Sequence, residues 1–127
     1  MLLLDTDVMI DILRDHSPAI TWLQALGQTP IGLPGLVAME LIQGCRTRVE
    51  QQRVRRITRQ YHLLWPTDAD CNRALEDFAQ YSLSHSLGMI DSLIAHTAVG
   101  LGCQLATFNQ KHYRVIVTLQ LTQPYIR

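Results

Sequence analysis

The stretch "LLLDTDVMIDIL" (residues 2–13) places two aspartates, Asp5 and Asp7, directly after a run of three leucines. A short uninterrupted apolar run predicts a strand that is buried on both faces of a sheet. From Asp7 onward the apolar residues recur with the spacing of an amphipathic helix. The stretch therefore predicts a strand followed at once by a helix, with negative charge at the point where the buried strand ends.

Strands and helices alternate along the rest of the chain. Apolar runs predict strands at 1–4, 61–66, 103–108 and 115–119 and a strand or turn at 29–34, and helical patterns lie between them. This alternation predicts an α/β protein whose parallel sheet is covered by helices on both faces. The length of 127 residues fits a single domain, 1–127.

The composition is that of a globular protein without disulfide bonds. Apolar residues make up 47% of the chain, and eleven basic and eleven acidic residues cancel, so net charge neither favours nor excludes a nucleic-acid partner. The three cysteines are widely spaced, which argues against a disulfide framework or a zinc site. We find no signal peptide and no apolar run of the ~18–20 residues that cross a membrane, so we expect a soluble, cytoplasmic protein.

Three acidic residues stand in apolar surroundings. Asp5 follows the leucines, Glu40 lies in "LVAMELI", and Asp91 lies in "GMIDSLIA". A buried carboxylate is costly unless it is paired, protonated or bound to a metal. Ligands of open parallel sheets bind beyond the carboxyl ends of the strands, where Asp5 lies and where Thr107 and Asn109 follow another strand. Three carboxylates there would repel one another, and a hard cation, Mg²⁺ or Mn²⁺, would remove that repulsion.

A site of this composition suits the hydrolysis of phosphodiester bonds. The metal ion would orient the phosphate and lower the pKa of a bound water. Six arginines fall between residues 46 and 59, and a basic helix near the acids would hold a polyanion. The arginines that we expect to contact this polyanion are Arg46, Arg48, Arg53 and Arg56.

Each acid also has a purely structural explanation. Asp5, Thr6 or Asp7 could cap the first helix, and Asp91 could cap the helix that follows Gly88. Glu40 could reach solvent or form a salt bridge. A structural role for all three acids is less economical than one shared site, but the sequence alone leaves both explanations open.

The ordered set "LLLDTDVMIDIL", "AMELIQG" and "GMIDSLIAHTAVGLGCQLATFN" resembles the PIN-domain family over essentially the whole chain. It is most similar to the VapC-type toxin ribonucleases of bacterial toxin–antitoxin pairs. The resemblance implies a three-layer α/β/α sandwich and a metal-dependent endoribonuclease. It implies Asp5, Glu40 and Asp91 as ligands of Mg²⁺ or Mn²⁺. It also implies that Thr107 and Asn109 orient a ligand or the attacking water.

The resemblance further implies a homodimer and a cognate antitoxin whose C-terminal segment covers the acidic site. Thr6 and Asp7 are additional candidate site residues. The sequence departs from the family in one respect, since many members carry a further acid after the threonine, and no Asp or Glu follows Asp91 here. We therefore expect one protein-bound metal ion, with a second arriving with the substrate.

Three other functions remain open from the sequence. A haloacid-dehalogenase-type phosphatase also places Asp-x-Asp after an apolar strand, but Met9 stands where its motif has Thr or Val, and its later acidic pair is missing. A receiver-like domain needs an aspartate at the end of a central strand, and none occurs between Glu50 and Asp68. The missing acid leaves open a third alternative, a catalytically weak PIN-like module that binds RNA or protein, although the three retained acids argue against it.

Overall fold

A computed structural model describes residues 1–127 of the chain. Five short strands form one sheet in the order β3-β2-β1-β4-β5, and every neighbouring pair is parallel. The strands are β1 (Leu2–Leu4), β2 (Ile31–Pro34), β3 (His62–Leu64), β4 (Gln104–Ala106) and β5 (Gln120–Thr122). The leucine run is therefore the central strand, and β2 and β4 are its two neighbours.

Seven helices connect the strands and complete the expected three-layer α/β/α sandwich. They are α1 (Thr6–Leu13), α2 (Ser17–Ala25), α3 (Gly35–Gln43), α4 (Arg48–Thr58), α5 (Asp68–His85), α6 (Met89–Leu101) and α7 (Gln110–Tyr113). None of them is both long enough and apolar enough to span a bilayer.

The hydrophobic core surrounds β1. Leu3 and Leu4 have no exposed surface, and they belong to one cluster with Met9 of α1, Leu105 of β4 and Ile94 of α6. A central strand of a parallel sheet is buried on both faces, which is why it has no polar residue until the chain leaves the sheet at Asp5.

Two helix ends follow the sequence signals closely. Thr67 begins α5 in a capping box: its hydroxyl accepts the Asp70 N–H at 3.1 Å, and the Asp70 carboxylate accepts the Thr67 N–H at 2.9 Å. Gly102 ends α6 with a φ of +66°, a conformation that glycine adopts without strain, and it directs the chain into β4.

Each tryptophan packs against a segment that follows a strand of the sheet. The Trp65 ring covers Gly35 at the start of α3 and fills the space that a Cβ atom there would need. Trp22 of α2 lies against Tyr125, with ring centroids 5.8 Å apart. About half of the Trp65 surface remains exposed.

The predicted strand at 115–119 is wrong. These residues form turns after α7, and the strand that pairs with β4 is β5, which begins at Gln120. Ile116 and Leu119 are buried, whereas Val117 between them is 90% exposed. The run has the composition of a strand, but its apolar side chains reach the core from a turn, in which the Leu119 N–H donates to the Ile116 carbonyl at 3.0 Å.

We predict that Leu3→Ala lowers the free energy of unfolding by about 2–5 kcal/mol, because it leaves a cavity in the central strand. Leu63→Ala is the matched control, since Leu63 lies on the edge strand β3 and is 38% exposed. We expect it to cost less than about 1 kcal/mol. Urea denaturation of both variants measures the difference, and equal losses would contradict the central place of β1.

Candidate active site

Asp5 lies where β1 ends, at the carboxyl edge of the sheet, and it is the N-cap of α1. One carboxylate oxygen accepts the Thr6 N–H at 2.8 Å, and the other accepts the Thr107 hydroxyl at 2.8 Å. Only 5% of its surface is exposed. Asp5 therefore caps the helix, and the same carboxylate also belongs to the cluster of acids described below.

Asp7 connects the first turn of α1 to the loop after β4. Its carboxylate accepts the Val8 N–H at 2.8 Å and the Phe108 N–H at 2.9 Å. The Thr107 hydroxyl lies 3.3 Å from the same carboxylate, so its single proton is shared between Asp5 and Asp7. The structure thus brings Asp7 into the site with Asp5.

Thr107 and Asn109 occupy the loop between β4 and α7. Thr107 is fully buried, and its hydroxyl accepts the Asn109 N–H at 3.0 Å while it donates to the acids. Asn109 precedes α7 but its side chain makes no capping hydrogen bond. Asn109 therefore supports the site through its backbone, and Thr107 through its side chain.

Glu40 and Asp91 come from two further helices, α3 and α6. Glu40 accepts the Thr6 hydroxyl at 2.6 Å, so Thr6 links it to the first turn of α1. Asp91 lies in the first turn of α6, where Gly88 is the N-cap, so Asp91 itself does not cap the helix. Glu40 lies close enough to Asp91 for its charge to raise the pKa of the Asp91 carboxyl.

Tyr113 is a site residue that the sequence analysis did not find. Its side chain is fully buried, and its hydroxyl donates to Asp91 at 3.4 Å and faces Asp5. Burial and the neighbouring acids raise the pKa of Tyr113 well above its ordinary value, so the phenol stays protonated and remains a donor. No motif marks it, because its role depends on contacts with Asp91 and Asp5, which are distant from it in the sequence.

The acids disfavour one another's charge. Burial and the charge of Asp7 raise the pKa of Asp5 to about 7. Burial raises the pKa of Asp7, and burial and Glu40 raise that of Asp91. Arg127 partly offsets the rise in the pKa of Asp7, and His112 partly offsets the rise in that of Asp91. A cation among these carboxylates would relieve the repulsion.

The donor set fits a hard divalent cation in its chemistry, although its side chains do not form a coordination shell. Carboxylate oxygens are the ligands that Mg²⁺ and Mn²⁺ prefer. In the structure no three His, Cys, Asp or Glu side chains are arranged as a set that could hold a metal ion. Protein hydrogen bonds engage Asp5, Asp7 and Glu40 instead, so a cation that gathers the acids has to compete with them.

The arginine-rich segment contributes less to the site than the sequence suggests. Arg53 of α4 borders a cavity that Thr6 and Glu40 also line. The other three predicted contacts, Arg46, Arg48 and Arg56, are exposed and do not line that cavity. The structure therefore brings one of the four predicted arginines toward the acids.

Comparisons with known proteins agree on one family. The family model of the PIN domain matches residues 2–117. The ribonuclease VapC10 of Mycobacterium tuberculosis is 34% identical over 122 residues, which cover 94% of this chain and 91% of that protein.

Solved structures with the same fold come from several bacteria. A toxin–antitoxin complex from Klebsiella pneumoniae superposes with a TM-score of 0.79 at 22% identity and covers the whole of both chains. VapBC-1 from nontypeable Haemophilus influenzae superposes with a TM-score of 0.77 at 23% identity over 96% of both chains. At these identities the likeness concerns the fold.

We predict that Asp5→Asn stabilises the metal-free protein at neutral and higher pH. The pKa of Asp5 is about 7 in the folded chain, above its ordinary value of 3.8, so the folded state binds the proton more tightly than the unfolded state. The stability of the wild type should therefore fall as the pH rises from about 4 to 7. Removing the charge should raise the Tm at pH 8 by several degrees, since one pKa unit corresponds to about 1.4 kcal/mol.

Thermal melts in EDTA at pH 4 and pH 8 measure this effect. Asp68→Asn is the control, because Asp68 also lies in the first turn of a helix but is exposed, and we expect no gain from it. A lower Tm of Asp5→Asn than of the wild type at pH 8 would show that the Asp5 carboxylate is not destabilised by burial.

Proposed function

Because this chain belongs to the PIN-domain family, we propose that it is a metal-dependent endoribonuclease that hydrolyses RNA phosphodiester bonds, as the toxin of a type II toxin–antitoxin pair. The observation that carries the proposal is the cluster of Asp5, Asp7 and Asp91 at the carboxyl edge of the sheet, in which each carboxyl has a raised pKa. Carboxyl groups whose pKa is raised in this way cluster at catalytic sites.

The residues of the site have different roles in the proposed reaction. Asp5, Glu40 and Asp91 would hold Mg²⁺ or Mn²⁺, with Asp7 beside them. The bound ion would lower the pKa of an attacking water and offset charge on the phosphate. Thr107 keeps Asp5 and Asp7 in fixed orientation, as its hydrogen bonds to both acids require.

Asn109, the second residue after Thr107, supports a single metal ion held by the protein. Asn109 is neutral and its N–H is used within the loop, so it adds no charge where many relatives carry an acid. The Tyr113 hydroxyl, also neutral, points into the cluster instead. We propose that a second ion, where the reaction needs one, arrives with the RNA. Two tight sites in the free protein by calorimetric metal titration would contradict this stoichiometry.

We propose that the cognate antitoxin binds in a groove between α1, α3 and α4. The cavity there has a volume of about 440 Å³, and its apolar lining includes Ile10, Leu13 and Leu41. Thr6 and Glu40 also line this cavity, so a peptide lying in the groove would reach Glu40. A basic side chain of the peptide could then pair with Glu40.

We also propose a cytoplasmic homodimer. Exposed apolar side chains lie on α3, on the segment around β3 and at the start of α6. Met39 of α3 and Met89 of α6 are both more than half exposed. A groove of about 520 Å³ runs between α3 and α6 beside Glu40. Exposed apolar patches of this kind mark protein contacts.

We predict that Asp91→Asn abolishes RNA cleavage and leaves RNA binding intact or stronger, because it removes one negative charge from the site and keeps its shape. Purified, antitoxin-free protein would be incubated with a pool of structured RNAs and Mg²⁺ or Mn²⁺, with and without EDTA. The loss of rate should exceed about 100-fold, and EDTA should abolish cleavage by the wild type.

Asp68→Asn is the matched control for this experiment, since it neutralises an exposed acid in the first turn of α5. It should cleave as the wild type does. No cleavage by folded wild-type protein with either metal ion would favour the binding-module alternative. Cleavage that persists in EDTA would overturn the acidic metal site.

We predict that Gly44→Trp weakens inhibition by the antitoxin at least tenfold and preserves cleavage. Gly44 lines the groove, and a Cβ atom there meets only ordinary contacts at 3.7 Å, so the position accepts a side chain and we expect the indole to occupy the groove. Gly44→Ala is the control and should be inhibited normally. Equal inhibition of the two variants in a cleavage assay titrated with antitoxin would place the antitoxin elsewhere.

A further inference from the structure

The C-terminal segment is tied to the first helix through a buried acid. Asp11 of α1 is 5% exposed, and its carboxylate accepts two hydrogen bonds from the Arg127 guanidinium, from Nε at 3.1 Å and from Nη2 at 3.1 Å. The Tyr125 hydroxyl donates to the same carboxylate at 2.8 Å. Arg127 is thereby held in one orientation.

Arg127 is held but not saturated. A guanidinium carries five N–H donors, and Asp11 receives two of them. The side chain is 47% exposed, and its guanidinium lies 4.9 Å from the centre of the Phe108 ring. The guanidinium therefore lies against an aromatic ring, and its remaining N–H donors are accessible to solvent.

This arginine stands at the rim of the acidic site. The backbone N–H of Phe108, on which it stacks, donates to the Asp7 carboxylate at 2.9 Å. Its charge is close enough to lower the pKa of Asp7. An RNA strand that approaches the acids is repelled by them, and a fixed positive charge at this position offsets that repulsion.

We propose that Arg127 is a substrate-binding residue that takes a phosphate group of the RNA strand, with Asp11 and Phe108 holding its guanidinium in place. The assignment rests on the proposed ribonuclease function. A guanidinium matches two phosphate oxygens with parallel N–H donors, and prior fixation by Asp11 reduces the entropy lost on binding. Arg127 would thus contact the substrate although it is distant in sequence from the arginine-rich helix α4.

The chain contains a second arginine–aspartate ion pair of similar burial that lies away from the acidic site, and it serves as a control. Arg73 pairs with the buried Asp70, and the exposed fractions of the two side chains, 47% and 7%, nearly equal the 47% and 8% of Arg127 and Asp11. Asp70 lies against Gly100, near the end of α6 opposite to Asp91. A double change at either pair removes one positive and one negative charge, so net charge and the number of buried ion pairs change equally.

The experiment compares Asp11→Asn/Arg127→Gln with Asp70→Asn/Arg73→Gln. Both are made in an Asp91→Asn background, which prevents cleavage, and a fluorescein-labelled single-stranded RNA pool is titrated by anisotropy with Mg²⁺ over a series of NaCl concentrations. We expect the Arg127 variant to bind about tenfold more weakly. The slope of log K against log salt is negative, and its magnitude should fall by about 0.7, the value for one lost phosphate contact on single strands. The Arg73 variant should keep the slope of the background.

Equal slopes for the two double variants would overturn the assignment, because a purely structural arginine changes affinity through folding and not through counterion release. Should the double variant not fold, Arg127→Lys against Arg73→Lys makes the same comparison. Lysine keeps the positive charge but lacks the paired N–H donors of a guanidinium. Arg127→Lys should therefore keep the salt slope and lose affinity for RNA. Unchanged affinity would refute the proposal. Cleavage by the wild-type protein is measured in parallel. If it cleaves, equal slopes refute Arg127 alone, and if it neither cleaves nor binds RNA, both proposals fail.

Discussion

Repulsion between carboxylates at the end of the central strand is the constraint on which the rest of the structure depends. Asp5 is buried beside Asp7, and a single hydroxyl, that of Thr107, donates to both of them. The remaining support comes from backbone N–H groups of Thr6, Val8 and Phe108. These donors limit the repulsion without removing it, since the pKa of Asp5 remains near 7.

The order of the strands makes this arrangement possible. β1 and β4 are neighbours, so the loop after β4 meets the first turn of α1 at the same edge of the sheet. The N-termini of α1 and α6 also lie at the acids, because Asp5 caps one helix and Asp91 stands in the first turn of the other. The positive ends of two helix dipoles therefore face the cluster and favour its negative charge.

A residue can be selected as a site candidate from the sequence where it is conspicuous among its own neighbours, and its role in the site stays a prediction. Asp5, Glu40 and Asp91 stand out as acids in apolar runs, and the structure places all three around the end of β1. Tyr113 does not stand out, because its role depends on contacts with acids far away in the chain. The same holds for Arg127, whose partner Asp11 is separated from it by most of the sequence. A local pattern contains no information on such pairs, and it also misassigned the strand at 115–119.

The positions of the two tryptophans make intrinsic fluorescence a probe of two different parts of the site. Trp65 lies on Gly35 at the start of α3, the helix that carries Glu40, whereas Trp22 touches Tyr125, which holds Asp11 at the other end of the site. The indole emission spectrum depends on its immediate surroundings. Two single-tryptophan proteins would therefore distinguish events on the α3 side of the site from events at the C-terminal segment, without any added label.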